Sequence, residues 1–277
     1  MKHACVIGDP VSHSRSPLVH GFWLAELGIE GSYGRERVSS DALAGFITGL
    51  RERGYRGCNV TLPHKEAAFR LVDATTELSR QLAAVNTVWF DEDGRLHGDN
   101  TDVHGFVANL DQEMPGWRMT TSTALVLGAG GAARAAVFGL KERGAEVFIL
   151  NRTVEAGQKL ARQAKARTVK RADLKKLSFD VIINATPVGM KNPKESPLQE
   201  SEINAKIVFE MIYDPAETQL MKLARARGAQ VIPGIEMFVQ QAARQFEIWT
   251  GKPAPWDDML RAVTISMQDR NASHNGR

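Results

Sequence analysis

The sequence predicts an α/β protein with mostly parallel sheets, and three observations support this prediction. Short apolar runs recur along the chain as candidate strands. Windows with the apolar period of amphipathic helices separate these runs, and such alternation is typical of βαβ units. The chain is also large enough, because 277 residues with a hydrophobic fraction of 43% can fill the cores of two domains.

The first part of the chain alternates strands with helices and ends in a hairpin. Its predicted strands lie at Ala4–Gly8, Tyr33–Val38, Gly57–Val60 and Val85–Phe90. Its predicted helices lie at Pro17–Leu27 and Asp41–Arg53. Asp91-Glu92-Asp93-Gly94 is a turn sequence, which indicates a hairpin leading into a further strand at Arg95–Gly98.

A second block of strands follows the loop Met114-Pro115-Gly116-Trp117. Its predicted strands lie at Ala124–Leu127, Glu146–Leu150, Val181–Asn184, Ile207–Glu210 and Gln230–Ile232. After Gly234 the pattern is helical, over Glu236–Thr250 and Asp257–Met267, with no further strand. These helices could fold back onto the first domain, and the polar tail Asn271–Arg277 is expected to fray.

Charge and cysteine use argue against several classes of protein. The 35 Lys and Arg against 32 Asp and Glu form no basic runs, which argues against nucleic-acid binding and suits small anionic ligands. Cys5 and Cys58 lie in apolar stretches without metal-binding spacing, which indicates reduced core cysteines, a cytoplasmic protein and no metal site. No signal peptide is recognised, and no apolar stretch approaches the roughly 18 residues of a membrane span.

A glycine-rich turn follows the predicted strand Ala124–Leu127 and opens an alanine-rich helix. The turn comprises Gly128, Ala129, Gly130, Gly131 and Ala132. In this context glycine lets backbone amides approach a pyrophosphate at the positive end of a helix, as in Rossmann dinucleotide-binding domains. An ordinary strand-to-helix turn is the alternative.

The end of the next strand favours the dinucleotide interpretation. Asn151-Arg152-Thr153 comes about 20 residues after the turn, where the ribose of the adenosine would lie. A carboxylate there would repel a 2′-phosphate, whereas the guanidinium of Arg152 can bind one. NADP is therefore favoured, unless Arg152 is simply a solvated residue at a strand end.

Polar side chains are unusually dense in four segments of the first part. These segments are GDPVSHSRSP at 8–17, NVTLPHK at 59–65, AVNT at 84–87 and GDNTD at 98–102. Loops at the carboxyl ends of strands hold ligands in α/β proteins, so the segments could converge on one polyhydroxylated anion. The candidate ligand-binding residues are Ser14, Ser16, Thr61 and Asn86, with Lys65 and Asp102 supplying charge. Alternatively, the serines cap a helix and the two charged residues are surface charges.

Over nearly its whole length the chain resembles the shikimate dehydrogenase family, and the shared segments follow the family's order. They comprise Gly8, Pro10, His13, Ser14, Ser16, Pro17 and His20; Asn59-Val60-Thr61, Pro63 and Lys65; Ala84-Val85-Asn86-Thr87 and Gly98-Asp99-Asn100-Thr101-Asp102; the turn from Gly128, Asn151-Arg152-Thr153, Asn184-Ala185-Thr186 and Gly189-Met190; and Tyr213, Pro215, Thr218, Gly234, Met237, Gln241 and Ala242.

The resemblance implies NADP-dependent reduction of 3-dehydroshikimate to shikimate, a step of aromatic amino-acid biosynthesis. It implies that Lys65 and Asp102 are the catalytic pair. The implied substrate-binding residues are Ser14, Ser16, Thr61, Asn86, Tyr213 and Gln241. The implied cofactor-binding residues are Gly128, Ala129, Gly130, Gly131, Ala132, Asn151, Arg152, Thr153, Thr186, Met190 and Gly234.

The resemblance also implies a domain arrangement. Residues 1–104, completed by residues 236–277, would form the substrate-binding and catalytic domain. Residues 105–235 would form a Rossmann domain that binds NADP. The C-terminal helices would return to the first domain, and a cleft between the domains would close over both ligands.

Several positions depart from the family's pattern. The family often has a second basic residue shortly after the Asn-Arg-Thr triplet, but residues 154–156 supply none, and Lys159 would substitute only in part. Val103 and Glu236 stand where glycine is frequent, and Gly21 replaces a frequent asparagine. NAD therefore stays possible as cofactor. A quinate or quinate/shikimate dehydrogenase using NAD and a non-catalytic shikimate-binding regulatory protein are the alternatives, and the protein could be a monomer or a homodimer.

Overall fold

The computed structural model of the chain describes residues 3–12, 14–117 and 123–260, which divide into two compact units. The described part of the first unit consists of residues up to 104 and from 239 to 260, and that of the second consists of residues 105–238. The divisions fall inside two helices, α5 (Thr101–Glu113) and α9 (Gly234–Thr250).

The first unit contains a six-stranded sheet in the order β2-β1-β3-β5-β6-β4. Its strands are β1 (His3–Gly8), β2 (Ser32–Arg37), β3 (Tyr55–Val60), β4 (Ala74–Thr75), β5 (Thr87–Phe90) and β6 (Leu96–Asp99). β1 pairs in parallel with β2 and β3, and β4 pairs in parallel with β6, whereas β5 is antiparallel to both its neighbours. The predicted hairpin is confirmed, since Phe90 pairs with Leu96 across the turn.

The helices of the first unit are α1 (Ser16–Glu26), α2 (Leu43–Thr48), α3 (Lys65–Phe69), α4 (Glu77–Leu82) and the start of α5. The prediction of one helix over Asp41–Arg53 was wrong in extent, because α2 ends at Thr48 with Gly49 as its C-cap. The residues after α2 form a turn that ends at Gly54. Gly54 has a φ of 79°, a left-handed conformation that glycine adopts readily, and β3 begins at the next residue.

Apolar side chains cover both faces of this sheet. On one face, Ile7 of β1 packs in one cluster with Ile47 of α2 and with Leu50, which follows that helix. On the other, Val6 and Tyr33 pack with Trp249 of α9, so the C-terminal part of α9 belongs to the first unit's core. Cys5 and Cys58 are paired in register across β1 and β3, and the prediction that they are free core cysteines is confirmed.

The second unit contains a fully parallel six-stranded sheet in the order β12-β11-β10-β7-β8-β9. Its strands are β7 (Thr123–Leu127), β8 (Glu146–Leu150), β9 (Arg167–Thr168), β10 (Phe179–Asn184), β11 (Ala205–Glu210) and β12 (Gln230–Pro233). Its helices are α6 (Gly131–Glu142), α7 (Val154–Ala164), α8 (Gln219–Ala226), the parts of α5 and α9 that lie in this unit, and two 3-10 helices, Arg171–Lys176 and Glu200–Glu202.

This strand order is that of a Rossmann domain, whose ligand binds where the order reverses. Here the reversal lies between β7 and β10, and the glycine-rich turn follows β7. Leu125, Ile182 and Val208 of the three central strands lie in the core, as expected for a parallel sheet covered on both faces. The predicted fold class is thus confirmed.

The C-terminal predictions are only partly covered. Residues 256–260 are helical, which agrees with the start of the helix predicted over Asp257–Met267. The rest of that helix and the tail Asn271–Arg277 lie outside the described residues. Among the helices that are described, none has the length and apolar character needed to cross a membrane.

Candidate active site

Lys65 and Asp102 form an ion pair in the first unit. Lys65 is the first residue of α3, and Asp102 lies in the first turn of α5. Lys65 Nζ lies 2.5 Å from Asp102 Oδ2, and the two side chains are only 18% and 14% exposed. The alternative of two separate surface charges is therefore wrong. The pair is largely shielded from water, and opposite charges attract each other more strongly away from water than in it.

Asn86 fixes the second oxygen of the carboxylate. Its Nδ2 donates to Asp102 Oδ1 at 2.8 Å, and its Oδ1 accepts from the backbone N of Thr101 at 2.8 Å. The backbone of Asn86 joins β3 to β6, because its O accepts from Val60 N and its N donates to Asp99 O. Both carboxylate oxygens of Asp102 thus accept hydrogen bonds. The backbone hydrogen bonds of the sheet fix the position of the Asn86 donor.

Ser14 and Ser16 face each other in the turn after β1. Ser14 Oγ donates to Ser16 Oγ at 3.2 Å and accepts from Ser16 N at 3.3 Å. The N-cap of α1 is Arg15, which makes no side-chain capping bond. Arg35 of β2 donates from Nε and Nη2 to Ser14 O at 2.9 and 2.6 Å, which holds the turn and places a positive charge beside it. His13 of the same turn lies outside the described residues.

Thr61 follows β3 and lies against the start of the same turn. A Cβ added to Gly8 would lie 2.5 Å from Thr61 Cγ2 and 3.0 Å from Leu62 O, so only glycine fits there. Thr61 N donates to Ile7 O at 2.9 Å, which ties the two turns together. Both turns thus lie at one edge of the sheet.

Gln241 reaches this region from α9. Its Oε1 accepts a hydrogen bond from Gln245 Nε2, which also donates to Thr101 Oγ1 at 2.9 Å. Thr101 precedes Asp102 in the chain, so the amide of Gln241 lies near the ion pair. Five of the six predicted substrate-binding residues therefore lie in the first unit.

Tyr213, the sixth, lies in the second unit, where its ring stacks on Phe238 with centroids 4.6 Å apart. The role of Tyr213 in substrate binding therefore stays a prediction.

The glycine-rich turn of the second unit has the features of a pyrophosphate-binding loop. Gly128 has a φ of 110°, and a Cβ there would lie 3.0 Å from Ala185 O. Gly130 is the N-cap of α6 and offers no capping side chain, so no side chain competes for the first amides of the helix. Amides at a helix N-terminus attract anions, which fits a dinucleotide pyrophosphate.

Arg152 follows β8 and is exposed. It forms no ion pair with any residue in the described part of the chain, so its charge is not neutralised by a carboxylate. Asn151 Nδ2 donates to Thr153 O at 2.8 Å, which closes the turn around Arg152. Lys159 is exposed on α7, and Glu155 lies in the first turn of that helix.

A buried carboxylate holds the loop after β10. Glu210 accepts from Asn184 Nδ2 at 2.9 and 3.1 Å and from Thr218 Oγ1 at 2.8 Å. Asn184 Oδ1 in turn accepts from Thr186 Oγ1 at 2.7 Å, which positions this predicted cofactor-binding residue. Burial raises the pKa of Glu210, whereas its hydrogen bonds oppose the rise. A Cβ at Gly234 would lie 2.6 Å from Glu210 O, so a glycine is needed there.

Met190, also predicted to bind the cofactor, is 48% exposed in the turn that follows β10. Gly189 beside it has a φ of 103°, which requires glycine. Few large apolar side chains are exposed in the described part of the chain, and one beside a candidate cofactor site is available for an apolar contact.

Glu236 lies on α9 beside Glu113 of α5, within the second unit. Burial raises the pKa of Glu236 to about 7, and the charge of Glu113 and a hydrogen bond between the two carboxyl groups add to the rise. In the orientation that satisfies its amide, Asn109 donates to Glu236 Oε2 at 3.2 Å and accepts from Met237 N at 3.1 Å. The hydrogen bond between Glu236 and Glu113 thus requires that one of the two carboxyl groups is protonated.

Sequence reasoning assigned no role to several residues that hold the site together. Tyr33 donates to Asn59 Oδ1, and Asn59 Nδ2 donates to Asn86 O at 3.1 Å. Arg35, Gln245 and Glu210 were also not singled out. The available signals were a polar residue inside an apolar strand, as at Asn59 and Glu210, and an uncharged polar residue on the apolar side of a helix, as at Gln245. Among the described residues, no group of His, Cys, Asp and Glu could hold a metal ion.

The Rossmann topology, its glycine turn and Arg152, which has no ion-pair partner among the described residues, are the features of an oxidoreductase that uses a nicotinamide dinucleotide. Three family models match the chain: the substrate-binding domain of shikimate dehydrogenase at residues 6–88, shikimate/quinate 5-dehydrogenase at 110–206, and the C-terminal domain of shikimate 5′-dehydrogenase at 234–264. The chain belongs to the shikimate dehydrogenase family.

Curated relatives cover almost the whole chain. Shikimate dehydrogenase (NADP(+)) of Rhizobium rhizogenes is 42% identical, over 97% of this chain and 96% of the relative. The enzyme of the same name from Methylobacterium radiotolerans is 44% identical, over 96% of this chain and 95% of the relative.

Solved structures are similar over the same length. Shikimate 5-dehydrogenase of Thermus thermophilus, in complex with NADP(H) and shikimate, has a TM-score of 0.87 and 38% identity, covering 95% of this chain and 98% of that one. Quinate dehydrogenase of Corynebacterium glutamicum, in complex with NAD, has a TM-score of 0.87 and 27% identity, with the same coverage.

Proposed function

We propose that the protein is an NADP-dependent oxidoreductase that interconverts 3-dehydroshikimate and shikimate, a step of chorismate and aromatic amino-acid biosynthesis. Curated relatives above 40% identity carry the name of this activity. The observation that carries the chemistry is the contact of 2.5 Å between Lys65 Nζ and Asp102 Oδ2. The chain therefore has a proton donor and a group that orients it.

Lys65 and Asp102 are the proposed catalytic pair. Reduction of a ring ketone requires a hydride on carbon and a proton on oxygen, and the bound nicotinamide supplies the hydride. The ammonium of Lys65 hydrogen-bonds the carbonyl oxygen and donates its proton as negative charge develops there. Asp102 holds the ammonium in place and accepts a hydrogen bond from a substrate hydroxyl. In the oxidation direction, Lys65 takes up the proton of the reacting hydroxyl.

The remaining polar residues bind the substrate in this proposal. Their hydroxyl and amide groups match the carboxylate and ring hydroxyls of shikimate, and Arg35 supplies positive charge beside the serines. The proposed substrate-binding residues are Ser14, Ser16, Thr61, Asn86, Tyr213 and Gln241.

The cofactor would bind to the Rossmann unit. The amides at the start of α6, which no side chain caps, fit the pyrophosphate. Arg152, which forms no ion pair within the described part of the chain, fits a 2′-phosphate. The proposed cofactor-binding residues are Gly128, Ala129, Gly130, Gly131, Ala132, Asn151, Arg152, Thr153, Thr186, Met190 and Gly234. Residues 105–235 would then form the NADP-binding domain, and residues 1–104 with 236–277 the substrate-binding domain.

We further infer a cytoplasmic protein whose partners are its small-molecule ligands rather than nucleic acid, either as a monomer or as a homodimer. Two free, buried thiols, Cys5 and Cys58, support a reducing compartment. Sedimentation of the purified protein distinguishes the two oligomeric states.

Initial rates with shikimate or quinate, each with NADP⁺ or NAD⁺, test the proposed function. We expect the highest kcat/KM for shikimate with NADP⁺. A highest value for quinate with NAD⁺ would instead support a quinate dehydrogenase, which the lack of a second basic residue at 154–156 favours. No turnover in any combination, with shikimate still raising the melting temperature, would indicate a non-catalytic binding protein.

A further inference from the structure

The carboxylate of Glu210 joins two loops at one edge of the second unit's sheet. Glu210 is the last residue of β11, and its side chain is fully buried. Its two oxygens accept from Asn184 Nδ2, the last residue of β10, at 2.9 and 3.1 Å. They also accept from Ile212 N at 3.1 Å and from Thr218 Oγ1 at 2.8 Å. Three donors from different parts of the chain thus converge on one buried carboxylate.

The carboxylate fixes the orientation of the Asn184 side chain. An ionised carboxylate only accepts hydrogen bonds, so Asn184 must turn its Nδ2 toward Glu210. Asn184 Oδ1 then faces the loop after β10, where it accepts from Thr186 N at 3.1 Å and from Thr186 Oγ1 at 2.7 Å. Thr186 Oγ1 accepts in turn from Val188 N at 3.2 Å. The hydrogen bonds within this loop therefore depend on which end of the Asn184 amide faces Glu210.

The loop after β10 packs directly against the glycine-rich turn. Ala185 N donates to Leu127 O at 3.0 Å, immediately before that turn. A Cβ at Gly128 would lie 3.0 Å from Ala185 O and 3.4 Å from Thr186 Cγ2. Even a small shift of the loop would therefore change the space beside the amides that fit a pyrophosphate.

We propose that Glu210 is a positioning residue for the nicotinamide dinucleotide, acting through Asn184 on the loop after β10. The proposal rests on the proposed function, in which Thr186 and Met190 of this loop bind the cofactor. β10 and β8 lie on opposite sides of β7, so the loop is separated by one strand from Arg152, the proposed partner of the 2′-phosphate. Glu210 therefore affects the binding of NADP⁺ and of NAD⁺ alike.

Two variants test the connection by calorimetric titration with each cofactor. Glu210→Gln keeps the shape of the side chain but replaces one acceptor by an NH₂ group, which lets Asn184 turn its Oδ1 away from the loop. We expect the Kd for NADP⁺ and for NAD⁺ to rise by the same factor, about 5- to 20-fold, the effect of one hydrogen bond. Asn184→Ala breaks the same connection and leaves Glu210 its bonds from Ile212 and Thr218, so we expect a similar rise.

A double-mutant cycle with Thr186→Val tests the route from Glu210 to the loop. This change removes the hydroxyl that donates to Asn184 Oδ1 and keeps the size of the side chain. If Glu210 acts through Asn184 and Thr186, the double variant should have a Kd clearly lower than the product of the two single effects predicts. A double variant whose Kd equals that product would overturn the proposal.

Glu202→Gln is the matched control, because it makes the same change at a second buried carboxylate of this unit. Glu202 is 6% exposed and accepts from Arg171 Nε and Nη2 at 2.8 and 2.6 Å. It precedes β11, whereas Glu210 ends that strand. Glu202→Gln should lower the melting temperature and leave the Kd for both cofactors within twofold of the wild type.

Three results would assign Glu210 a structural role instead. They are a folded Glu210→Gln protein with wild-type Kd values, the same rise in Kd in Glu202→Gln, and loss of folding in both Glu210→Gln and Asn184→Ala. A wild-type protein that binds neither cofactor would contradict the proposed function itself, and this is seen before any variant is made.

Discussion

Arg152 carries a charge at the end of β8 that no carboxylate in the described part of the chain neutralises. If this charge binds the 2′-phosphate, Arg152→Ala should raise the KM for NADP⁺ by roughly ten- to a hundredfold, the range of a charge-assisted hydrogen bond. The KM for NAD⁺, which lacks the phosphate, should change little. Initial rates with each cofactor measure this, with Lys175→Ala on the exposed 3-10 helix as a control. Equal effects on both cofactors would point to a structural role for Arg152.

Because the pKa of Glu236 is raised in the folded protein, we predict that the stability of the protein depends on pH. Its pKa is raised to about 7 in the folded protein by burial and by Glu113, so the folded state holds a proton that the unfolded state releases above pH 4.5. The stabilisation that this proton provides is complete below the pKa that Glu236 has in the unfolded state, and it is lost as the pH rises through 7. Glu236→Gln should therefore raise the free energy of unfolding at pH 8 by roughly 1 to 3 kcal/mol and have little effect at pH 4.5.

Thermal unfolding at pH 4.5 and pH 8 measures this difference. Glu52→Gln, at an exposed position of the turn before β3, is the control and should not change with pH relative to the wild type. An equal effect of Glu236→Gln at both pH values would show that Glu236 does not keep its proton in the folded state.

At the residue scale, the sequence identified candidate side chains but not their contacts. Lys65 and Asp102 are far apart in the chain, and no periodic pattern predicts that they meet. Their roles, like those of the other proposed ligand-binding residues, stay predictions. Tyr33 and Gln245 escaped notice, and Asn59 was noticed only as part of a shared segment, because their importance comes from partners that only the folded chain brings near.

Close packing of β3, β5 and α9 gives a prediction at the scale of elements. A Cβ at Gly57 of β3 would overlap Val88 O and lie 2.6 Å from Trp249 Nε1. The same two groups share a hydrogen bond of 3.3 Å. Gly57→Ala should therefore lower the free energy of unfolding by about 2 to 3 kcal/mol, since backbone and an indole must both move.

Gly45 of α2 is the matched control, because a Cβ there meets nothing within 4 Å. Gly45→Ala should raise the free energy of unfolding by about 0.5 to 1 kcal/mol through the better helix propensity of alanine. Urea denaturation of both variants measures the pair. Gly57→Ala with the stability of the wild type would show that α9 does not pack on β3 as described.

Long, apolar strands were predictable, and short elements were not. β8 was predicted with its observed bounds, because the apolar run from residue 147 to residue 150 lies between clear turns. The two-residue strands β4 and β9 have no apolar period, and their existence depends on neighbouring strands. α2 ended earlier than predicted because Gly49 outweighed the helical pattern that continues beyond it.

At the scale of the whole molecule, the order of segments along the chain was more informative than any one of them. A polar turn, a glycine turn or an arginine alone is common in α/β proteins. Their succession predicted the family, and the family models and relatives confirm it. The sequence predicted the hairpin of β5 and β6 but not the strand order of the first sheet, since β5 also pairs antiparallel with β3, which is distant in the chain.

The central claim is that Lys65, held by Asp102, transfers the proton in shikimate oxidation and 3-dehydroshikimate reduction. The most direct test compares kcat for shikimate and NADP⁺ between the wild type and Lys65→Ala. We predict a kcat lower by about 10²- to 10⁴-fold, the usual contribution of a general acid–base group, with smaller changes in KM. A Lys65→Ala protein that turns over shikimate at nearly the wild-type rate would contradict the account.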